Sequence, residues 1–323
     1  MDKLDLKDRK ILYQLDLDSR QSLTQIGKKV GLKKDVVSYR VKKLEESGII
    51  QNYFTVIDSY KLGYNVFRIY FKYQNATPDI KNKIIEYLAN YKHTWVVASM
   101  LGKYDLVSVL WIKDINDFYQ YWETVLGKFG DYFSEKNFSI YVKSFAYKKS
   151  YLLPKEYNTT DRLNYEVTGG NKIVDIDELD YEILNELAVN ARIPLIELFK
   201  KLDCSFQTVT YRMKKLEKSG IIQAYRLGID LSMLGMQHYK ANIHLKEQSK
   251  RKDLIDYISL NPNLTFIGMS AGFADLELEF DLENSLKLNE ILDDLDIKFA
   301  GIIQSHDYQI ASKFHKVRCI PEY

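Results

Sequence analysis

Apolar residues at the start of the chain recur with a helical period. Ile11, Leu12 and Leu15 form one stripe, Leu23, Ile26 and Val30 a second, and Val37, Val41 and Leu44 a third. Asp5 precedes the first stripe as an N-cap, with Asp8 in the first turn to meet the helix dipole, and Ser22 precedes the second. Gly31 turns the chain into the third helix; Gly48 ends that helix and Ile49-Ile50 opens a strand. Three short helices with a tight turn before the last, followed by strands, predict a winged helix-turn-helix. The period then changes from helical to alternating. Strands are expected at 66–73, 93–100, 105–112 and 138–148, and helices at 78–90 and 115–129. The order βαββαβ predicts a ferredoxin-like sandwich with its helices on one face of the sheet.

The whole pattern occurs twice. Residues 203–222 repeat 31–50 at an offset of 172, so that Arg212 matches Arg40 and Gly220 matches Gly48. The match extends upstream to Arg192 and Arg20 and downstream to Gly235 and Gly63. In the copy Pro194 fits the first turn of a helix, and Asp203 replaces the turn glycine, a substitution that the left-handed conformation tolerates. The second sandwich is expected as strands at 239–245, 264–270, 275–280 and 302–314 with helices at 252–260 and 285–294. Its Gly272 and Asp275 match Gly102 and Asp105 at an offset of 170, so two residues are lost on the way. This is one unit used twice rather than a short-period solenoid. The domains expected are a head at 1–60, a sandwich at 61–153, a polar linker at 154–174 that includes Asn158–Asp161 and Gly169-Gly170, a second head at 175–232 and a second sandwich at 233–323.

Composition narrows the class. Nearly half of the 323 residues are apolar (46%), enough for a sizeable core. A net charge of +2 excludes a uniformly basic nucleic-acid binder, so DNA affinity must come from local patches. Two cysteines without CxxC spacing argue against a zinc ribbon or a disulfide framework. There is no signal peptide and no apolar run long enough to span a membrane, which implies a soluble, cytoplasmic protein.

The third helix of each head carries the candidate chemistry. Opposite its apolar stripe, the first has Asp35, Val36, Tyr39, Lys42 and Lys43, with Arg40 on the flank and Lys33 and Lys34 at the start. The copy has Gln207, Thr208, Tyr211, Lys214 and Lys215, flanked by Arg212 and preceded by Ser205. A cationic, hydrogen-bonding, aromatic face on a short helix suits the major groove of double-stranded DNA, although the same face alone could be an ordinary solvated surface. The first head has an excess of basic residues and the second is near balance, so the first is expected to bind phosphate more strongly.

A winged helix-turn-helix followed by βαββαβ resembles the Lrp/AsnC, or feast/famine, transcription regulators. The resemblance rests on Leu4-Asp-x-x-Asp8-x-x-Ile-Leu12, Arg40-Val-x-x-Leu44-Glu-x-x-Gly48-Ile-Ile50, Leu62-Gly63 and Gly102-x-Tyr104-Asp105, and it covers both halves. The usual member has one head and one sandwich and dimerises; this chain looks like two subunits fused. The resemblance implies a sequence-specific regulator that senses an amino acid or related metabolite. It also implies an effector site near Gly102, Tyr104 and Asp105, and near Gly272 and Asp275 in the copy. An Asp can pair with an ammonium and a glycine lets backbone N–H groups approach a carboxylate, but a tight turn needs the same residues. Self-association through the ferredoxin-like domains is implied as well, inside one chain. There a basic side of the first sheet (Arg68, Lys72, with Lys143) would face the acids Asp275, Glu277, Glu279 and Asp281; alternatively Lys240 and Lys246 satisfy those acids within their own sheet.

Other chemistries find less support. No GxxxxGK[ST], GxGxxG or HExxH motif is present, the five histidines lack metal spacing, and no cofactor is implied. His306 and Asp307 are adjacent on a strand and so point to opposite faces. Two alternatives remain open. One is an enzyme resembling the sirohaem decarboxylases, whose Tyr-Asn-x-Trp-Phe strand has only Tyr64-Asn-Val-Phe-Arg68 as its counterpart here. The other is a DNA-independent metabolite sensor.

Overall fold

A computed structural model of the chain describes residues 4–154, 164–169 and 172–321. The first head comprises α1 (Leu6–Leu17), α2 (Leu23–Val30) and α3 (Lys34–Glu46), followed by strand β1 (Ile50–Ile57). Asp5 and Asp8 form a reciprocal capping box, as do Ser22 and Gln25, so local hydrogen bonds set both helix starts. Gly31 adopts φ +69°, the left-handed turn that aims α3 across α2. Ile11, Leu12, Leu15, Ile26 and Val37 are fully buried where the three helices meet.

The first sandwich is β2 (Asn65–Tyr73), α4 (Pro78–Asn90), β3 (Thr94–Gly102), β4 (Leu106–Ile112), α5 (Ile115–Phe129) and β5 (Phe133–Tyr147). Within the segment expected as a linker, 164–168 form strand β6 (Asn164–Thr168) on the edge of β5, and the Gly169 N–H donates to the Val142 carbonyl. Asn158–Asp161 and Gly170 lie outside the described residues. The second head is α6 (Glu178–Val189), α7 (Leu195–Lys201), α8 (Phe206–Lys218) and β7 (Ile222–Ile229). Pro194 stands at the N-cap of α7, one position before the helix, and Asp203 takes φ +46° at the turn before α8. The second sandwich is β8 (Gln237–Leu245), α9 (Arg251–Ile258), β9 (Leu264–Ala271), β10 (Leu276–Leu282), α10 (Ser285–Lys298) and β11 (Ile303–Val317).

The last strand of each sandwich is longer than its period suggests, and its second part leaves its own sheet to close the fold. Each half has the ferredoxin-like order, β5-β2-β4-β3 and β11-β8-β10-β9. The second part of β5 then pairs with β9, and the second part of β11 with β3, so eight antiparallel strands form a closed ring. Closure removes the exposed edges that two separate sheets would carry. It also explains two glycines. A Cβ on Gly102 would lie 3.0 Å from the Tyr308 carbonyl oxygen, and one on Gly272 would lie 2.8 Å from that of Phe138. These are the same contact on opposite sides of a pseudo-two-fold axis.

Outside the ring, Phe67, Ile69 and Phe71 pack on α4 and α5, and Leu276, Leu278 and Phe280 on α9 and α10. Inside it the halves differ. At the offset of 170, the inward positions of β4 are Val107, Val109 and Trp111, and those of β10 are Glu277, Glu279 and Asp281. Arg68 reaches across to Glu277 at 3.0 Å and Glu279 at 3.1 Å, and Lys240 pairs with Glu277 from the adjacent strand. The acids are thus met from both halves. Lys72 does not take part: it pairs with Asp105 of its own half at 3.2 Å. Lys143 lies over the Phe145 ring.

Candidate nucleic-acid interface and effector loops

The two heads are joined by a ribbon. β1 and β7 pair antiparallel with Ile50 opposite Ile229 and Ile57 opposite Ile222, a register that maps onto itself under the internal repeat. The loops behind α1 and α6 dock on this ribbon reciprocally. The Ser19 N–H donates to the Tyr225 carbonyl at 2.8 Å and the Ala191 N–H to that of Tyr53 at 2.9 Å. Arg20 donates to the Ala191 carbonyl at 2.7 Å, and Arg192 donates to that of Ser19. The arginines lie over Tyr225 and Tyr53 at 5.5 and 5.1 Å from the ring centroids. One contact breaks the symmetry: buried Asp16 accepts two hydrogen bonds from Arg226 at 2.8 Å, where the counterparts are Ala188 and Phe54.

On α3, Lys33, Lys34, Asp35, Tyr39, Lys42 and Lys43 are exposed, as are Ser205, Gln207, Tyr211, Lys214 and Lys215 on and before α8. Tyr39 and Tyr211 stand out at 69% and 68% exposure, at equivalent positions. Several of the expected DNA-facing groups already have partners within the head. Arg40 forms ion pairs with Asp5 and Asp8, both at 2.7 Å, and Arg212 pairs with Asp177 and with Asp180 at 3.1 Å. Each arginine therefore braces the third helix against the start of the first, and the aspartates that cap α1 and α6 do double duty. Lys215 also meets Asp180 at 3.1 Å, and Lys42 lies 3.6 Å from Glu46. Ser205 caps α8 by accepting from the Thr208 N–H and shares a hydroxyl contact with Thr208, which is half-buried; Lys33 at the matching position makes no side-chain cap.

The glycine loops lie at the end of the barrel away from the ribbon. Asp105 accepts from the Tyr73 N–H at 2.8 Å and from Lys72, and Asp275 accepts from the Leu245 N–H at 2.7 Å and from Gln248. Both carboxylates thus cap the first strand of their own sandwich in the same way. Tyr104 is fully buried, accepts from Asn137 at 2.8 Å and stacks on Tyr70 at 5.2 Å. In the copy Ala274 occupies its place, and Phe273 instead fills the space against Tyr104.

The barrel interior was not singled out as a site by motif, yet it holds the most perturbed groups. Burial alone would lower the His238 pKa, but hydrogen bonds to Asp281 and Glu279 outweigh it and raise the value to about 10. Burial would raise Glu279, but Arg68 and His238 hold it down at about 2. The one signal available beforehand was the alternation of acids with leucines along β10. Among the described residues no cluster of His, Cys, Asp or Glu could hold a metal ion, and no helix is long and apolar enough to cross a membrane.

Two three-helix heads with exposed third helices, each leading into the barrel through its own ribbon strand, define a duplicated winged helix-turn-helix protein. The winged helix-turn-helix DNA-binding family matches the chain twice, at residues 4–51 and 176–223. The HTH-type transcriptional regulator LrpA of Pyrococcus horikoshii is 31% identical over 125 residues, which are 39% of this chain and 87% of that protein. LrpB of Bacillus subtilis is 30% identical over 122 residues, 38% of this chain and 82% of that protein. The chain belongs to the Lrp/AsnC family of transcription regulators, as a tandem duplication of the whole unit. Over its full length it is similar in fold to the siroheme decarboxylase NirDL, with a TM-score of 0.62 at 12% identity, covering 98% of this chain and 94% of that one.

Proposed function

We propose that the protein regulates transcription by binding a bipartite DNA site with α3 and α8, the two halves of one chain acting as a pseudo-dimer. The observation that carries this is the equivalent exposure of Tyr39 and Tyr211 on third helices whose spacing is held by the β1–β7 ribbon. Pairing of β3 with β11 and β5 with β9 supports the pseudo-dimer. Lys33, Lys34, Lys42, Lys43, Lys214 and Lys215 would contact phosphates. Base reading falls to Asp35 and Tyr39 in one head and to Gln207, Thr208 and Tyr211 in the other. Arg40 and Arg212 would reach DNA only by exchanging a carboxylate for a phosphate. Asp can accept from cytosine N4 and Gln can pair bidentately with adenine, so the site should be an imperfect palindrome. An amino acid or related metabolite would act at Gly102, Tyr104 and Asp105, its ammonium replacing Lys72 on Asp105, and more weakly at Gly272 and Asp275.

Selection of duplexes from a random pool by the full chain, followed by shift assays, tests the reading. Enrichment of an imperfect palindrome is expected. Failure to enrich any sequence would overturn DNA recognition, and a perfectly two-fold site would overturn the asymmetry. The runner-up is tetrapyrrole decarboxylation, which draws on the full-length likeness to NirDL; at 12% identity that likeness reaches the fold and no further. A tetrapyrrole absorbance titration separates the two.

A further inference from the structure

The barrel is plugged at one end and open in its interior at the other. Beneath the ribbon, a cavity of about 240 Å³ is roofed by Phe54–Ile57 of β1 and by Arg226 of β7. Its walls are Trp95, Trp111, Tyr141 and Phe266. A second cavity of about 140 Å³ continues inward and shares Trp95, Phe266 and Glu279 with the first.

Three features of this space bear on its occupant. The first is shape and polarity. Trp95 and Trp111 stack with centroids 5.0 Å apart, so the wall is a flat aromatic surface. An apolar cavity of about 150 Å³ is already large enough for benzene.

The second is charge. In the inner cavity the cations Arg68, Lys240 and protonated His238 are balanced by Glu277, Glu279 and Asp281. Among the described residues, Arg226 and Lys149 of the outer cavity both pair with Asp16, and Lys149 also acts on Asp281, so these five cations meet four carboxylates. Arg226 lies 2.8 Å from both oxygens of Asp16, and the Lys149 ammonium lies 3.8 Å from that carboxylate with its side chain 15% exposed. One cation in excess in so sheltered a place is costly unless an anion joins it.

The third is a pair of unpartnered donors. The Trp111 indole N–H and the Arg68 Nε–H are buried without an acceptor, and both residues line this space. Buried donors without acceptors are rare, and they make the walls of this space polar in places.

We propose that the space beneath the ribbon binds a small aromatic monocarboxylate, its ring against Trp95, Trp111 and Phe266 and its carboxylate at Lys149. This site is separate from the glycine loops at the far end, and its existence does not rest on DNA binding. Since its roof is the ribbon that spaces α3 and α8, occupancy would bear directly on the geometry of the heads.

The test uses the full chain without DNA. Indole-3-acetate and 3-phenylpropionate are titrated by calorimetry, and 3-phenylpropionate by tryptophan fluorescence as well, with 3-phenylpropan-1-ol as the uncharged control. Two of the three tryptophans line the cavity, so the fluorescence reports on it. Saturable binding of an acid with a Kd below about 1 mM is expected, with the alcohol about tenfold weaker. Lys149→Gln should weaken the acid about tenfold and leave the alcohol unchanged. Ala146→Phe, which fills the cavity, should abolish both. No saturable signal at about 5 mM acid, equal binding of acid and alcohol, or undiminished acid binding by Lys149→Gln would each overturn the proposal.

Discussion

Arg68 on the second strand of the chain donates to Glu277, a residue 209 positions later, at 3.0 Å inside the closed barrel. Tyr70 and Tyr141 also donate to the same carboxylate oxygen, at 2.9 and 2.5 Å. With Ser139, which donates to the other oxygen at 3.0 Å, four groups from the first half therefore converge on one buried acid of the second. A carboxylate in such a place persists only because its hydrogen bonds and counter-charges offset the loss of water.

Removing that arginine should be costly. Arg68→Met leaves Glu277 and Glu279 with Lys240 and His238 as their counter-charges and is expected to lower unfolding free energy by about 3–5 kcal/mol. Urea denaturation measures it. A change under about 1 kcal/mol would mean that Lys240 suffices and that the cross-half pair contributes little.

Stability should also depend on alkaline pH through His238. Its folded pKa of about 10 lies above the ordinary 6.5, so its contribution is complete below pH 6.5 and is lost as pH rises toward 10. The thermal midpoint of the parent should fall across that window relative to His238→Gln. Parallel profiles for the two proteins would rule the contribution out. Glu279 acts in the opposite direction: its contribution is lost as pH falls from 4.5 toward 2.

The DNA contacts proposed for the heads can be told apart from bracing. Lys42→Ala/Lys43→Ala should reduce the slope of log K against log salt by roughly 2 with the fold unchanged. Arg40→Ala should instead lower the melting temperature of the head, because it leaves Asp5 and Asp8 without their cation at 2.7 Å. If Arg40→Ala lowers the salt slope without affecting melting, the arginine exchanges its aspartates for phosphate when DNA binds.

The proposed pseudo-dimer can be tested by a covalent trap. Met100 lies directly opposite Ala311 in the β3–β11 ladder. With Cys204→Ser and Cys319→Ala as background, Met100→Cys/Ala311→Cys should oxidise to a disulfide at the mass of a single chain. Cross-linked dimers instead would show that the strands pair between molecules.

The heads were legible because their signals are local. Asp5, Ser22, Gly31 and Asp203 act within a few residues of themselves, through caps and turns that no distant segment alters. The 3.6-residue and two-residue periods likewise locate helices and strands, since each depends only on which face is buried. Strand ends were less legible: the expected ranges 138–148 and 302–314 omit 133–137, which pair with β2 in their own sheet, and 315–317, which run along β3 of the other half.

What the chain order alone determined was therefore the pair of units, their elements and the face each element buries. Which edges meet, and which charges find each other, was decided by closure of the barrel. Closure placed β3 against β11, brought Arg68 to Glu277, kept Lys72 with Asp105 and opened a cavity beneath the ribbon. In the same way, packing of α3 on α1 turned Arg40 toward Asp5 and Asp8. The physical reason is that a side chain's face follows from the local backbone period, whereas its partner depends on rigid packing between segments that sequence distance does not encode.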